Sequence, residues 1–289
     1  MIAWSHPCSA GFTIRGEHTV PSGKPVIHFL HGNGYCGRTY WPMLSLLQAD
    51  FDLVISDLQG HGDSDHGGRF HGWNRSAELA LEAWRVQSAR FGQVPKFAVG
   101  HSFGGVLTAL MLEQDPSQFR RAVLLDPVLF SPLMIGAMAL SDVVGLHKRI
   151  TLARKTRERR RHWPDRSAAY ANLLGRGMFK GWTPEALQAY VDFALKDSSD
   201  GGVELKCQPS READIFASFP RRLWRSLGKV QTPVKVDYGD KTFPFIASSV
   251  KRWLASNPLV RAEQVAGGHC FMQQDPPAAA QRIKAFLLG

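Results

Sequence analysis

Pro25 to Leu30 (PVIHFL) is a short apolar run that stops at the turn residues His31-Gly32-Asn33-Gly34. The same unit recurs. Phe51 to Ser56 ends at Asp57-Leu58-Gln59-Gly60, Lys96 to Gly100 ends at His101-Ser102, and Arg121 to Leu125 ends at Asp126-Pro127. Pro233 to Tyr238 and Leu259 to Val265 repeat it near the end of the chain. Between the runs lie stretches of helical period. They are Tyr40 to Ala49, Trp73 to Phe91 (apolar at Leu79, Ala83, Trp84 and Val86), Phe103 to Gln114, Phe245 to Ser256 and Pro277 to Leu287. A strand that is apolar at every position is buried on both faces, so the alternation predicts a mostly parallel sheet with helices on both sides. The rhythm breaks between residues 128 and 229. Helical segments are expected there, one starting at Thr183-Pro184-Glu185 with a Thr cap before a Pro. Residues 1–127 and 230–289 then form one core, and 128–229 an insertion between two of its strands.

Of the 289 residues, 44% are hydrophobic and 21% charged, enough apolar material for a sizeable core and not the composition of a disordered chain. No stretch approaches the roughly 20 apolar residues of a membrane span, and no secretory leader is read at Met1 to Arg15. Cys8, Cys36, Cys207 and Cys270 are scattered, so neither a disulfide framework nor a zinc pattern is expected and a reducing cytoplasmic setting is. The formal charge is +10, and residues 147–229 carry 18 Lys+Arg against 9 Asp+Glu. Arg154, Lys155, Arg157, Arg159, Arg160 and Arg161 crowd one stretch of it. A solvated helix face accounts for them, as does a pull on an anionic substrate or docking to a membrane or nucleic-acid surface. No nucleic-acid module or phosphate loop accompanies them, so no nucleic-acid partner is expected. His61, Asp63, Asp65, His66 and His71 are read as a turn, and no metal or cofactor is expected.

Gly100-His101-Ser102-Phe103-Gly104-Gly105 follows a predicted strand and opens a predicted helix. That is the setting of a G-x-S-x-G nucleophile elbow, in which small residues permit a tight turn and the serine projects above the sheet. With His31-Gly32-Asn33-Gly34, Asp57-Leu58-Gln59-Gly60-His61-Gly62-Asp63-Ser64 and Gly267-Gly268-His269 in the same order, the sequence resembles the α/β-hydrolase superfamily over residues 25–130 and 230–289. The resemblance implies an eight-stranded sheet with a helical cap at 128–229. It also implies Ser102 as nucleophile, His269 as base, and Asn33 (backbone or amide) with the Phe103 N–H as oxyanion donors. His28, His31 and His101 are read as scaffold. The acid is Asp126, at the tip of the strand before the cap, or Asp240, in the turn Gly239-Asp240-Lys241-Thr242 where most members carry theirs. A carboxylate in either place would hold the imidazole tautomer. The expected chemistry is hydrolysis of an ester, thioester or related small acyl compound, anionic substrates included. The same constellation serves C–C bond hydrolases and cofactor-free haloperoxidases or lyases, and a non-catalytic ligand-binding member stands as a third reading.

Overall fold

The computed structural model describes residues 1–143 and 151–289; the opening of the basic segment, 147–150, lies outside them. The strands are β1 (Ile2–Pro7), β2 (Thr13–His18), β3 (Val26–Leu30), β4 (Asp52–Ser56), β5 (Lys96–His101), β6 (Arg121–Leu125), β7 (His162–Trp163), β8 (Leu195–Asp197), β9 (Val203–Leu205), β10 (Val234–Lys241) and β11 (Val260–Gly268). Eight of them make one sheet in the order β1-β2-β4-β3-β5-β6-β10-β11. β1–β2 and β2–β4 are antiparallel, and every pairing from β4 to β11 is parallel. This is the mostly parallel eight-stranded sheet expected. β1, at the edge, and β2 beside it carry no apolar run (IAWSHP, TIRGEH) and are partly exposed, which is why no strand is read there from sequence.

The helices are α1 (Trp41–Leu47), α2 (Trp73–Ser88), α3 (Ser102–Gln114), α4 (Pro132–Val143), α5 (Thr151–Arg157), α6 (Arg166–Leu173), α7 (Pro184–Phe193), α8 (Pro209–Phe216), α9 (Leu223–Leu227), α10 (Pro244–Ser256), α11 (Phe271–Gln274) and α12 (Pro276–Leu288). Successive residues of a strand point to opposite faces, and they feed two cores. Val26 and Leu30 join a cluster with Trp84 of α2, Leu107 of α3 and Trp253 of α10. Ile27 and Phe29 join another with Leu44 of α1, Met272 of α11 and Ile283 of α12. β3, β4, β5 and β6 are buried to their last residues, so the residues just beyond those tips stand on a packed base.

The insertion is not purely helical, and the expected helical cap is corrected on this point. β7, β9 and β8 form a small antiparallel sheet within it, and strands of two or three residues are too short to leave a period in the sequence. The last part of the insertion packs below it, since Leu223 and Leu227 of α9 are buried in the core cluster of α2 and α3. Thr183 does cap α7, its hydroxyl accepting from the Ala186 N–H at 3.2 Å. Among the described residues no helix is long and apolar enough to cross a membrane.

Candidate active site

β5 runs straight into α3, and Ser102 sits at the junction with φ 53°, in the left-handed region. The turn is possible because Gly104 has no side chain; a Cβ there would lie 2.5 Å from the Leu30 carbonyl oxygen of β3. Ser102 is almost fully buried, and its hydroxyl lies at the N-terminus of α3, where free N–H groups favour negative charge. Phe103 is the second residue of that helix, so its N–H has no partner within the helix.

Three strand tips converge on Ser102. His269 follows β11 and sets its Nε2 2.8 Å from Ser102 Oγ. Its Nδ1 lies 2.5 Å from Oδ2 of Asp126, which follows β6 and has no solvent exposure. Asp126 also has positive φ, 45°. Its Oδ1 accepts from the Gly239 N–H at 3.1 Å, and its Oδ2 also accepts from the Thr242 hydroxyl. The alternative acid, Asp240, is exposed, and its Oδ1 accepts from the Gly267 N–H at 2.8 Å, bracing the turn that leads to His269. Thr242 stands three residues after Gly239, where the family resemblance leads one to expect an acid, and its hydroxyl donates to Asp126 instead.

Opposite Ser102, the loop after β3 carries Asn33. Its side chain is engaged, the Nδ2 donating to the Glu212 carbonyl of α8 at 3.0 Å and the Oδ1 facing His61 Nε2 at 3.3 Å. The Asn33 side-chain amide is therefore already occupied within the protein. His61 also accepts the Gly34 N–H at 3.1 Å, and His31 accepts the Leu58 N–H at 3.0 Å. Both rings are buried acceptors, and burial pushes His31 down to about 4 and His61 well below its ordinary value. They are neutral struts, as is His28, which burial lowers to about 3.

A buried chain of hydrogen bonds joins the two sides of the site. The Gly32 N–H donates to Tyr40 Oη at 3.1 Å, the Tyr40 hydroxyl donates to His101 Nδ1 at 2.6 Å, and His101 Nε2–H donates to the His269 carbonyl at 3.0 Å. Burial, then the neighbouring His269, holds His101 well below its ordinary value, which keeps Nδ1 free to accept. Nothing in the sequence around Tyr40 signals this role.

One wall of the site is aromatic. Phe243 lies 4.8 Å from the His269 ring and 5.9 Å from Phe245, which stacks on Phe130 at 5.8 Å. Trp73 contacts Phe130 and, edge-on at 4.6 Å, Phe103. Of the basic residues, Arg159 is not free: it binds the Glu212 carboxylate at 2.7 Å and the Tyr190 hydroxyl at 3.1 Å. Arg157 pairs with Asp214 at 3.2 Å, while Arg154, Lys155, Arg160 and Arg161 are exposed. Asp57 accepts from the N–H groups of Gly37 and Asp63, and Asp65 pairs with Arg15, so the His/Asp-rich loop is knit as a turn.

Several known proteins are similar. A 30 kDa magnesium-chelatase subunit of Rhodobacter capsulatus is 33% identical over 99 residues, 34% of this chain and 33% of that protein. Lipase LipV of Mycobacterium tuberculosis is 32% identical over 107 residues, 37% of this chain and 39% of the lipase. The matched parts thus span between a third and two fifths of those relatives. Among solved structures, E-2-(acetamidomethylene)succinate hydrolase superposes with a TM-score of 0.77 at 19% identity, covering 99% of this chain and 100% of that one, a likeness of fold. The family model described as "Alpha/beta hydrolase family" matches residues 29–282, nearly the whole length, and the chain belongs to that family.

Proposed function

We propose that the protein is a serine hydrolase that cleaves a small acyl compound, an ester or thioester, through an acyl-enzyme. The reading rests on one observation, the hydrogen-bonded series from Asp126 through His269 to Ser102. His269 Nδ1–H donates to Asp126, which leaves Nε2 to take the Ser102 proton as Oγ attacks the carbonyl carbon. The N–H groups of Asn33 and Phe103 receive the oxyanion, each worth about 3 kcal/mol in the transition state. The protonated His269 then gives its proton to the leaving alcohol or thiol. Water, deprotonated by His269, repeats the sequence and releases the acid. The aromatic wall of Phe243, Phe245 and Phe130 suits an apolar acyl or leaving group. The partial likenesses to a lipase and a monoglyceride lipase agree with acyl esters as substrates.

A fluorophosphonate probe and a panel of chromogenic esters of graded acyl length test the reading. Wild type is expected to be labelled and to turn over the shorter esters, and Ser102→Ala to do neither. Well-folded wild type that takes no label and cleaves no ester would leave a ligand-binding role for the same pocket.

A further inference from the structure

Among the described residues, Arg211 of α8 is the least explained charged side chain. It is 1% exposed, the largest buried cationic side chain, and no carboxylate lies within ion-pair distance of it among the described residues. Nη2 donates to the carbonyls of His66 and Gly68 at 2.8 and 2.5 Å. Nε and Nη1 are buried and have no hydrogen-bond partner. Three of the five N–H donors of the guanidinium therefore have no acceptor in the protein. Asp214 is near enough to be felt but is paired with Arg157 at 3.2 Å.

A buried charge without a partner is costly, and a side chain that only had to tie two carbonyls could do so without a permanent charge. The place of the guanidinium suggests what offsets the cost. Its Cζ lies over the Phe70 ring at 5.5 Å, and Phe70 contacts Phe103, the residue after Ser102, at 6.2 Å. On the other side Arg211 lies against Gly60, where a Cβ would fall 2.9 Å from Nε, so a glycine makes the room that the head group occupies. Gly60 leads to His61, the strut of the oxyanion loop, and the carbonyl of Glu212, the next residue, holds the Asn33 amide. The guanidinium is thus one side chain removed from the Phe103 ring, through Phe70, and lies beside Gly60, the residue before His61.

We propose that Arg211 receives a carboxylate carried at the far end of the substrate's acyl group, so that the enzyme acts on monoesters or monothioesters of short dicarboxylic acids. The inference rests on the serine-hydrolase reading and deepens it. The acyl chain would run from Ser102 along the Phe103–Phe70 edge, and its carboxylate would accept from the donors on Nε and Nη1. An arginine suits this task because it stays charged when buried and its N–H groups bond carboxylates strongly. The other described cap cations are exposed or paired and contribute only a diffuse field.

The test compares p-nitrophenyl hemiglutarate with p-nitrophenyl butyrate, measured as the ratio of kcat/KM for the anionic ester to that for the neutral one. Wild type is expected to favour the hemiglutarate. Arg211→Met is expected to lower the ratio by about ten- to a hundred-fold through KM, and Arg211→Lys to recover part of it. A ratio equal in wild type and Arg211→Met would overturn the proposal and leave Arg211 as a clamp on the His66 and Gly68 carbonyls. Should Arg211→Met not fold, wild type alone decides. Glutarate should inhibit butyrate hydrolysis competitively and glutaramide should not, and equal inhibition by both would overturn the proposal. Fluorophosphonate labelling runs alongside. Absent labelling of wild type counts against the serine-hydrolase reading, whereas intact labelling with an unmoved ratio counts against Arg211 alone.

Discussion

Ser102 and Asp126 both hold positive φ, 53° and 45°, and neither is glycine. Such backbone is strained by about 1–3 kcal/mol and survives only where its surroundings impose it. Here the strain has a geometric use, since it turns each side chain out of its strand and toward His269. Replacing Ser102 by Ala or by Gly removes the hydroxyl in both cases, but only Gly relieves the backbone. Less glycine's larger chain entropy, Ser102→Gly should be more stable than Ser102→Ala by about 0.5–1 kcal/mol. Urea midpoints would report it, and identical midpoints would mean that the turn is unstrained. Tyr40 offers a second residue-scale check. Tyr40→Phe leaves the Gly32 N–H and His101 Nδ1 without their partner in a dry interior, at a cost of about 1–3 kcal/mol. It should lower kcat on neutral esters more than it raises KM, because it loosens the oxyanion loop and the His269 backbone and touches no substrate. A raised KM with kcat intact would reject that positioning role.

Between elements, the relation of β6 to β10 decides where a carboxylate can serve His269. The strands pair in register from Ala122 with Val234 to Leu125 with Asp237, so the residue after β6 and the turn after β10 reach the same point. Asp126 and the Thr242 hydroxyl meet there. Asp126→Asn should lower kcat by about three to four orders of magnitude. Adding Thr242→Asp to that variant should restore at least about tenfold, since the new carboxylate starts from a side chain already touching Asp126. A double variant no faster than Asp126→Asn would show that the turn after β10 is set too far back to act. The sequence is most legible at this scale where burial is complete. β3, β4, β5 and β6 are buried along nearly their whole length and read as apolar runs, and the convergence of residues at their tips follows from the parallel sheet alone. β1, β2 and the short strands β7 to β9 leave no such run, because partly exposed strands and strands of two or three residues need no apolar period. Tyr40 and Arg211 are illegible for a different reason. Their importance lies in partners far along the chain, His101 for the one and His66 and Gly68 for the other, which no local spacing encodes.

For the whole molecule, the buried histidines set how stability responds to acid. His28, His31, His61 and His101 are each lowered from the ordinary value of 6.5, with burial as the leading cause, His28 to about 3 and His31 to about 4. A group depressed in the folded state stabilises it fully above its unfolded value and loses that contribution as pH falls toward its folded value. The window therefore opens near pH 6.5 and extends below pH 5. By pH 5, His28 and His31 should each have forfeited about 2 kcal/mol, and His61 and His101 add to the loss in the same direction. Asp57 and Asp237 work against this. Burial raises both to about 6, so their protonation between pH 7 and 5 relieves a cost of about 1 kcal/mol each. The histidines outweigh them, and the +10 charge, growing as carboxylates protonate, pushes the same way through self-repulsion. Unfolding free energy from urea titrations should accordingly drop by several kcal/mol between pH 7 and pH 5. His28→Gln, which keeps a polar partner for the Ser56 hydroxyl now 2.9 Å from His28 Nε2, should flatten the drop by about 2 kcal/mol. A stability that stays level over this range would contradict neutral buried histidines. A drop that His28→Gln leaves unchanged would move the acid sensitivity to the three rings around the site, where His31 and His61 prop the oxyanion loop.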